Sequence, residues 1–307
     1  MLPILLKTLP FFAVIGLGYI AGRTRFFGPE ATAHLTKFVF YFALSAMIFR
    51  FTATLDIARI WDPQLAAAYL TGTLAIYLIA TVAGLIRNQG IEVTAIEAQC
   101  AVIGNVGFLG LPMLALLLGE AAVGPIILIL SVDLIVFSSL IVILITGSRD
   151  GRMSLGILRT IGKGLLSNPM IMAISSGLIW SAFDLPIPAP ANDFLVLLGA
   201  AATPGALFAI GASLATKSAE RLSVAAWLTF CKLVLHPVAV ALAALFLFPV
   251  TAFAFAVVVA CAAMPVAGNV YMLAQHYGVA PHRVSASILI STAISVVTLT
   301  AIIGWVS

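Results

Sequence analysis

Two polar patches interrupt otherwise apolar stretches of this chain, and their residues are of the kind that bind an anion without a full positive charge. The first reads Gly104-Asn105-Val106-Gly107-Phe108-Leu109-Gly110-Leu111-Pro112, and the second Met264-Pro265-Val266-Ala267-Gly268-Asn269. Proline withholds a backbone donor and clashes with the preceding turn, while glycine enters conformations outside the helical well. Each patch is therefore expected to break its helix. A break leaves the N-terminal end of a half-helix with free N–H groups and a partial positive charge, which suits an anion. Asn105 and Asn269 each add an amide that donates to a carboxylate or accepts from a cation. Gly104, Asn105, Pro112, Pro265, Gly268 and Asn269 are accordingly the candidate substrate-binding residues.

A second set consists of ionisable residues deep in apolar sequence. Asp133 sits in Leu130-Ser131-Val132-Asp133-Leu134, and Lys232 and His236 lie one turn apart in Cys231-Lys232-Leu233-Val234-Leu235-His236-Pro237. A charge at the bilayer centre costs about 3 kcal/mol on insertion scales, so each must pair or face water. Asp133 and Lys232 are the natural partners, either as a proton or sodium switch or as a static strut between two helices. His236 precedes Pro237 and can bond a carbonyl that the proline frees. Arg50 reads as interfacial, and Glu92 and Glu97 as capping or surface charges. Cys100, Cys231 and Cys261 lie in apolar stretches without metal spacing, which makes them packing residues. With no His-Glu-x-x-His, no Gly-x-Gly-Asp and no clustered Ser-His-Asp, neither an enzyme, a metal site nor a resident cofactor is expected. Coupling to protons or sodium is.

Only a lipid-embedded helical frame can position such residues here. The 307 residues are 63% hydrophobic and 8% charged, with a mean hydropathy of +1.19, whereas a soluble domain keeps about a quarter of its residues charged. The apolar runs are continuous rather than alternating, which selects helices over barrel strands. Ten spans are expected near 3–22, 34–53, 63–87, 95–118, 122–146, 166–183, 190–215, 223–248, 251–276 and 283–306. The N-terminal stretch reads as a permanent first span, not a removed signal peptide. With no basic helix and interleaved aromatics, nucleic acid is not an expected partner.

Connections after the odd-numbered spans carry Arg23, Arg25, Arg87, Arg149, Arg152, Arg159, Lys163, Lys217, Arg221 and Arg283. The opposite connections carry Asp56, Asp62, Glu120, Asp184 and Asp193, with Arg59 as their cation. The positive-inside rule then makes the odd connections cytoplasmic and leaves both termini outside. The polar linker 147–165 divides the chain into five-span halves, 1–146 and 166–307. An odd number of spans per half inserts the second half inverted, a common transporter plan. Gly104-Asn105-Val106 recurs as Gly268-Asn269-Val270 five spans later, and Ala43-Leu44-Ser45-Ala46-Met47-Ile48-Phe49 is echoed by Ala202-Thr203-Pro204-Gly205-Ala206-Leu207-Phe208. Glycine and proline also occur in membrane helices as simple kinks and packing positions. A matched pair of breaks in corresponding positions of the two halves points instead to a transporter site.

Over essentially its whole length the chain resembles the auxin efflux carrier family in its bacterial form, which includes proposed malonate and malate carriers. The resemblance rests on the ten-span pattern, on Leu35-Thr36-Lys37-Phe38-Val39-Phe40 and on the break at 104–112. It also rests on Thr203-Pro204 with Gly211-Ala212-Ser213-Leu214, on Lys232-Leu233 with His236-Pro237, and on Met264-Pro265 with Asn269. It implies a fold like that of bile-acid symporters and sodium/proton antiporters. In that fold spans 4 and 9 cross as broken helices in a mobile core with spans 3, 5, 8 and 10, and spans 1, 2, 6 and 7 form a scaffold. It implies an elevator-like, secondary active transport of a small mono- or dicarboxylate across the bacterial inner membrane. A homodimer through the scaffold is also implied, although Gly199, Ala200, Gly205 and Gly211 suit tight packing within one chain equally well. Where the family often has proline in span 2 this chain has Ser45, the candidate contact from the scaffold side. Sodium/proton exchange without an organic substrate is the alternative, as is a sodium-coupled symport like that of bile-acid carriers.

Overall fold

Backbone polar groups in lipid must be satisfied within their own segment, and apolar runs of this length do so as helices. A computed structural model describes residues 2–54, 61–150, 155–215 and 222–306, and over these the chain is all-α. Helix α1 (Leu2–Arg23) is followed by α2 (Pro29–Thr54), α3 (Pro63–Ile86), α4 (Ile91–Val102), α5 (Val106–Leu118) and α6 (Glu120–Arg149). Then come α7 (Leu155–Leu166), α8 (Pro169–Ala182), α9 (Ala189–Leu214), α10 (Leu222–Phe246), α11 (Ala252–Ala262), α12 (Gly268–Tyr277) and α13 (Pro281–Val306). Among the described residues six helices, α2, α3, α6, α9, α10 and α13, are long and apolar enough to cross a membrane; α7 and α8, bent by 72°, make a seventh if read as one span. Both expected breaks are present, between α4 and α5 and between α11 and α12. Asp56, Arg59, Arg152, Lys217 and Arg221 lie outside the described residues.

Local sequence sets several helix starts. Asp62 accepts from the amides of Gln64 and Leu65, both at 3.0 Å, ahead of Pro63, and Asn168 accepts from Met170 N at 2.9 Å ahead of Pro169. Thr251 caps α11 through Ala254 N. In each case a side-chain oxygen satisfies amides that the first turn leaves orphaned, and in the first two proline occupies a position that needs no donor.

Among the described residues four helices contain a π-helical turn, at 39–43 in α2, 106–110 in α5, 133–137 in α6 and 231–235 in α10. Two of these have a direct cause. Pro112 and Pro237 would clash with the carbonyls four residues before them, Phe108 and Leu233, and the widened turn moves those carbonyls aside. In α6 the Phe137 carbonyl inside the π turn is taken up by Gln99 Nε2 of α4 at 2.6 Å. Asp133 opens one such turn and Lys232 lies inside another.

The helices pack in two sets. Helices α1, α2, α8 and α9 lie against one another, and α3, α4, α6, α10, α11 and α13 likewise. The α1–α9 contact is a main-chain approach made possible by glycine: a Cβ on Gly211 would stand 1.9 Å from the Ile15 carbonyl oxygen, and one on Gly18 2.2 Å from that of Phe208. Gly199 and Gly205 face Met47 and Val39 of α2, so these small residues of α9 serve packing within the chain.

Candidate functional site

The two breaks meet. Asn105 N donates to the Pro265 carbonyl at 2.8 Å and Ala267 N donates to the Ile103 carbonyl at 3.0 Å, around an antiparallel bridge between Gly104 and Val266. Val266 N in turn donates to Ser291 Oγ of α13 at 3.1 Å. Each interrupted helix thus supplies the backbone partners that the other has lost, as buried polar backbone requires. Gly104 has little room for a side chain: a Cβ there would lie 3.1 Å from Met264 Cβ, 3.2 Å from the Cys261 carbonyl oxygen and 3.3 Å from Lys232 Cε. Gly104, Asn105 and Pro265 thus meet through their main chains at the crossing. Asn105 also accepts on its carbonyl from Leu109 and Gly110, starting α5. Pro112 is half-buried one turn further on.

Helix α12 begins at exposed Gly268, beside which a Cβ would meet nothing within 4 Å, so its first amides are open to approach. Asn269 follows in the wall of a cavity of about 440 Å³, together with Phe40, Ser138, Ser139, Asn168 and His276. Asn269 Oδ1 is buried there without a hydrogen-bond partner. Phe40 stacks on Phe108, ring centroids 5.9 Å apart, which places the π turns of α2 and α5 against each other beside the cavity. Of the expected substrate residues, Asn269 lines this cavity. Ser45 does not line it; its hydroxyl donates to the Phe40 carbonyl at 3.0 Å inside its own helix. Sequence reasoning missed Ser138, Ser139, Asn168 and His276. A signal was available for the serines, which form a polar doublet in an apolar run five and six residues beyond Asp133. None was available for His276, because only the tertiary fold brings α12 to the same cavity as residues 138–142 of α6 and 168–171 at the start of α8.

The deep ionisable residues form a network rather than the expected direct pair. Asp133, Lys232 and His236 are buried, yet no ion pair joins Asp133 to Lys232 among the described residues. Asp133 Oδ1 instead accepts from the Tyr69 hydroxyl at 2.7 Å, and its Oδ2 is buried with no partner. Lys232 Nζ donates to the Ala262 carbonyl and lies 3.0 Å from His236 Nδ1. His236 Nε2 lies 3.0 Å from Thr73 Oγ1. The physical reason for the rearrangement is where the cation finds a partner. The last carbonyls of α11 are orphaned at the break and carry the negative end of that helix dipole, so Lys232 caps α11. Tyr69 and Thr73 of α3 were not legible as members, since a tyrosine and a threonine in an apolar span are unremarkable in type.

Glu97 corrects another expectation. Far from being a surface charge it is fully buried, and both its oxygens accept from arginines, Arg87 at the end of α3 and Arg283 at the start of α13. Arg283 Nη2 also donates to Gln89 Oε1 at 2.9 Å. Nearby, Arg149 at the end of α6 binds Glu92 at 2.8 Å and the Tyr277 carbonyl at 2.7 Å. The ends of α3, α6 and α12 and the starts of α4 and α13 are thereby held at one end of the molecule. Arg50, expected at the interface, is half-buried and donates to Asn192 Oδ1 at 3.1 Å. Among the described residues no group of three His, Cys, Asp or Glu could hold a metal ion.

Comparison with known proteins accords with this architecture. The family model described as "Membrane transport protein" matches residues 3–303. A protein of Rhizobium meliloti (strain 1021) named "Putative malonate transporter" is 28% identical over 298 residues, covering 96% of this chain and 93% of that protein. The chain belongs to the membrane transport protein family, that of the auxin efflux carriers.

Proposed function

We propose that, within this transporter family, the chain is a secondary active carrier of a small organic anion, a mono- or dicarboxylate of malonate-like size. The observation that carries the reading is the open N-terminus of α12: Gly268 leaves its first amides free to approach, and Asn269 on the same turn lines the cavity with an amide whose Nδ2 can donate to a carboxylate. Such an end attracts a carboxylate through its free amides and dipole, and the polar groups of Ser138, Ser139 and Asn168 can complete the ligand's hydrogen bonds. The relative's printed name supports malonate as the first ligand to try.

The wider reading is an elevator. In it the chain forms ten spans in two inverted five-helix repeats, with α4–α5 and α11–α12 as the crossed broken spans. Helices α1, α2, α7–α8 and α9 form the scaffold and the remainder moves. The mutual backbone bonds of the two breaks support the crossing, and the two packing sets support the division. Placement in a bacterial inner membrane with both termini outside, assembly as a homodimer through the scaffold, and coupling to protons or sodium belong to the same proposal. Cation exchange without an organic substrate is the second reading, favoured by the unpartnered Asp133 Oδ2.

Proteoliposomes containing the purified protein are expected to take up labelled malonate, and Asn269→Ala to lower the uptake of malonate below saturation about 10- to 100-fold while keeping the protein's thermal stability. Sodium or proton exchange with no carboxylate flux would replace the first reading by the second.

A further inference from the structure

The polar network between α3, α6, α10 and α11 has an order that a strut does not need. Tyr69, Thr73, Asp133, Lys232 and His236 are all at most 3% exposed, and among the described residues the Cys261 thiol of α11 also faces them. Asp133 and Lys232 make no direct ion pair, but a hydrogen-bonded arm reaches from each of them to α3. Lys232 Nζ lies 3.0 Å from His236 Nδ1, and His236 Nε2 lies 3.0 Å from Thr73 Oγ1. Tyr69 and Thr73 stand one turn apart on α3, so the two arms end on adjacent turns of one helix. The Tyr69 hydroxyl donates to Asp133 Oδ1 at 2.7 Å. The three groups between the two ends are an imidazole and two hydroxyls, each able to accept a proton on one side and release one on the other.

We propose that His236, Thr73 and Tyr69 form a relay that carries a proton between Lys232 and Asp133. In the charge-separated relay the Lys232 ammonium donates to Nδ1, Nε2–H donates to Thr73, the Thr73 hydroxyl turns to donate to Tyr69, and Tyr69 donates to the Asp133 carboxylate. Transfer moves one proton along each bond. Nδ1 gains the ammonium proton, Thr73 gains that of Nε2, Tyr69 gains that of Thr73, and Asp133 Oδ1 gains that of Tyr69. The result is a neutral amine, an imidazole of the other tautomer, two intact hydroxyls and a carboxylic acid, with atoms and charge balanced. The new Nδ1–H faces the neutral Lys232 amine at 3.0 Å and Thr73 now donates to Nε2, so the second state is also satisfied.

The purpose follows from cost. Each buried ion carries a desolvation penalty of several kcal/mol, and the relay removes two at once, which brings a charged and a neutral state of the same packing close in energy. The site and the cavity share a structural link, because Ser138, in the cavity wall, donates to the Asp133 carbonyl at 3.3 Å across the π turn. A ligand in the cavity therefore acts on the turn that holds the acid end of the relay. The choice of the proton as coupling ion rests on the transporter reading; the relay does not.

The test uses the purified, ligand-free protein and a temperature jump at constant pH followed by infrared spectroscopy, because the two states hold the same number of protons. The Asp133 carboxyl band is assigned by its loss in Asp133→Asn, and the Lys232 ammonium band by isotope-labelled lysine and Lys232→Met. In the wild type both bands are expected to change at one common rate. Tyr69→Phe and Thr73→Val each remove one hydroxyl while preserving shape, and in both the two rates should separate by about tenfold or more. Separate rates in the wild type, or a common rate in either folded variant, overturn the relay. If Tyr69→Phe fails to fold, Thr73→Val alone decides. Malonate stabilisation of the wild type is measured in parallel: its absence would end the carboxylate reading without touching the relay.

Discussion

The main-chain amide of Asn105 donates to the carbonyl of Pro265, 160 residues later in the chain, at 2.8 Å. That bond and its counterpart between Ala267 and Ile103 mean that neither broken helix is stable in lipid without the other. The half-helix ends are left pointing into protein and cavity, where an orphaned amide can bind a ligand rather than incur a penalty.

Asn269 is the amide at that cavity, and its loss is expected to act on binding and not on folding. A hydrogen bond to a charged carboxylate is worth about 1.5–3 kcal/mol, so Asn269→Ala should weaken malonate binding about 10- to 100-fold. Calorimetric titration against the wild type measures it, and unchanged affinity would remove Asn269 from the site.

Access to the cavity can be read chemically. Ser139 and His276 line it. Cysteine placed at either position should react with small methanethiosulfonates, and malonate should slow the reaction. The native thiols Cys100, Cys231 and Cys261 are all buried, so background labelling should be low. Labelling that malonate leaves unchanged would place the ligand elsewhere.

The α1–α9 contact should tolerate no added carbon. In Gly211→Ala the new methyl would fall 1.9 Å from the Ile15 carbonyl oxygen, and overpacking of this kind costs about 1–3 kcal/mol. Gly16→Ala on the same helix α1 meets nothing within 4 Å and should leave the unfolding midpoint unaltered or raised. Equal midpoints for the two variants would contradict the packing of these helices.

Glu97 should matter more than its position at a helix start suggests. Glu97→Gln strands Arg87 and Arg283 beside a neutral amide, and breaking a buried pair by removing one partner costs about 3 kcal/mol. The Arg87 side chain is 32% exposed and that of Arg283 12%, so water recovers part of this loss, chiefly at Arg87. Denaturation of the detergent-purified variant gives the value, and a change under about 0.5 kcal/mol would class the cluster with ordinary surface pairs.

Composition and run length by themselves determined that this chain is a bundle of helices in lipid, because a chain so poor in charge has no other solvent and lipid admits no open backbone. Proline, glycine and asparagine at 104–112 and 264–269 determined where two helices break, since those effects are local to the turn. The order of motifs sufficed for the family. Tertiary structure alone decided what the freed groups bind. Asp133 and Lys232 were legible as buried charges, but a lysine within reach of an orphaned helix end caps it, and only the placement of α11 creates that reach. Tyr69 and Thr73 acquire their roles from facing α6 and α10, and Glu97 from two arginines at positions 87 and 283. Such partners are separated by tens to hundreds of residues, and what joins them is the packing of whole helices, which no local pattern encodes.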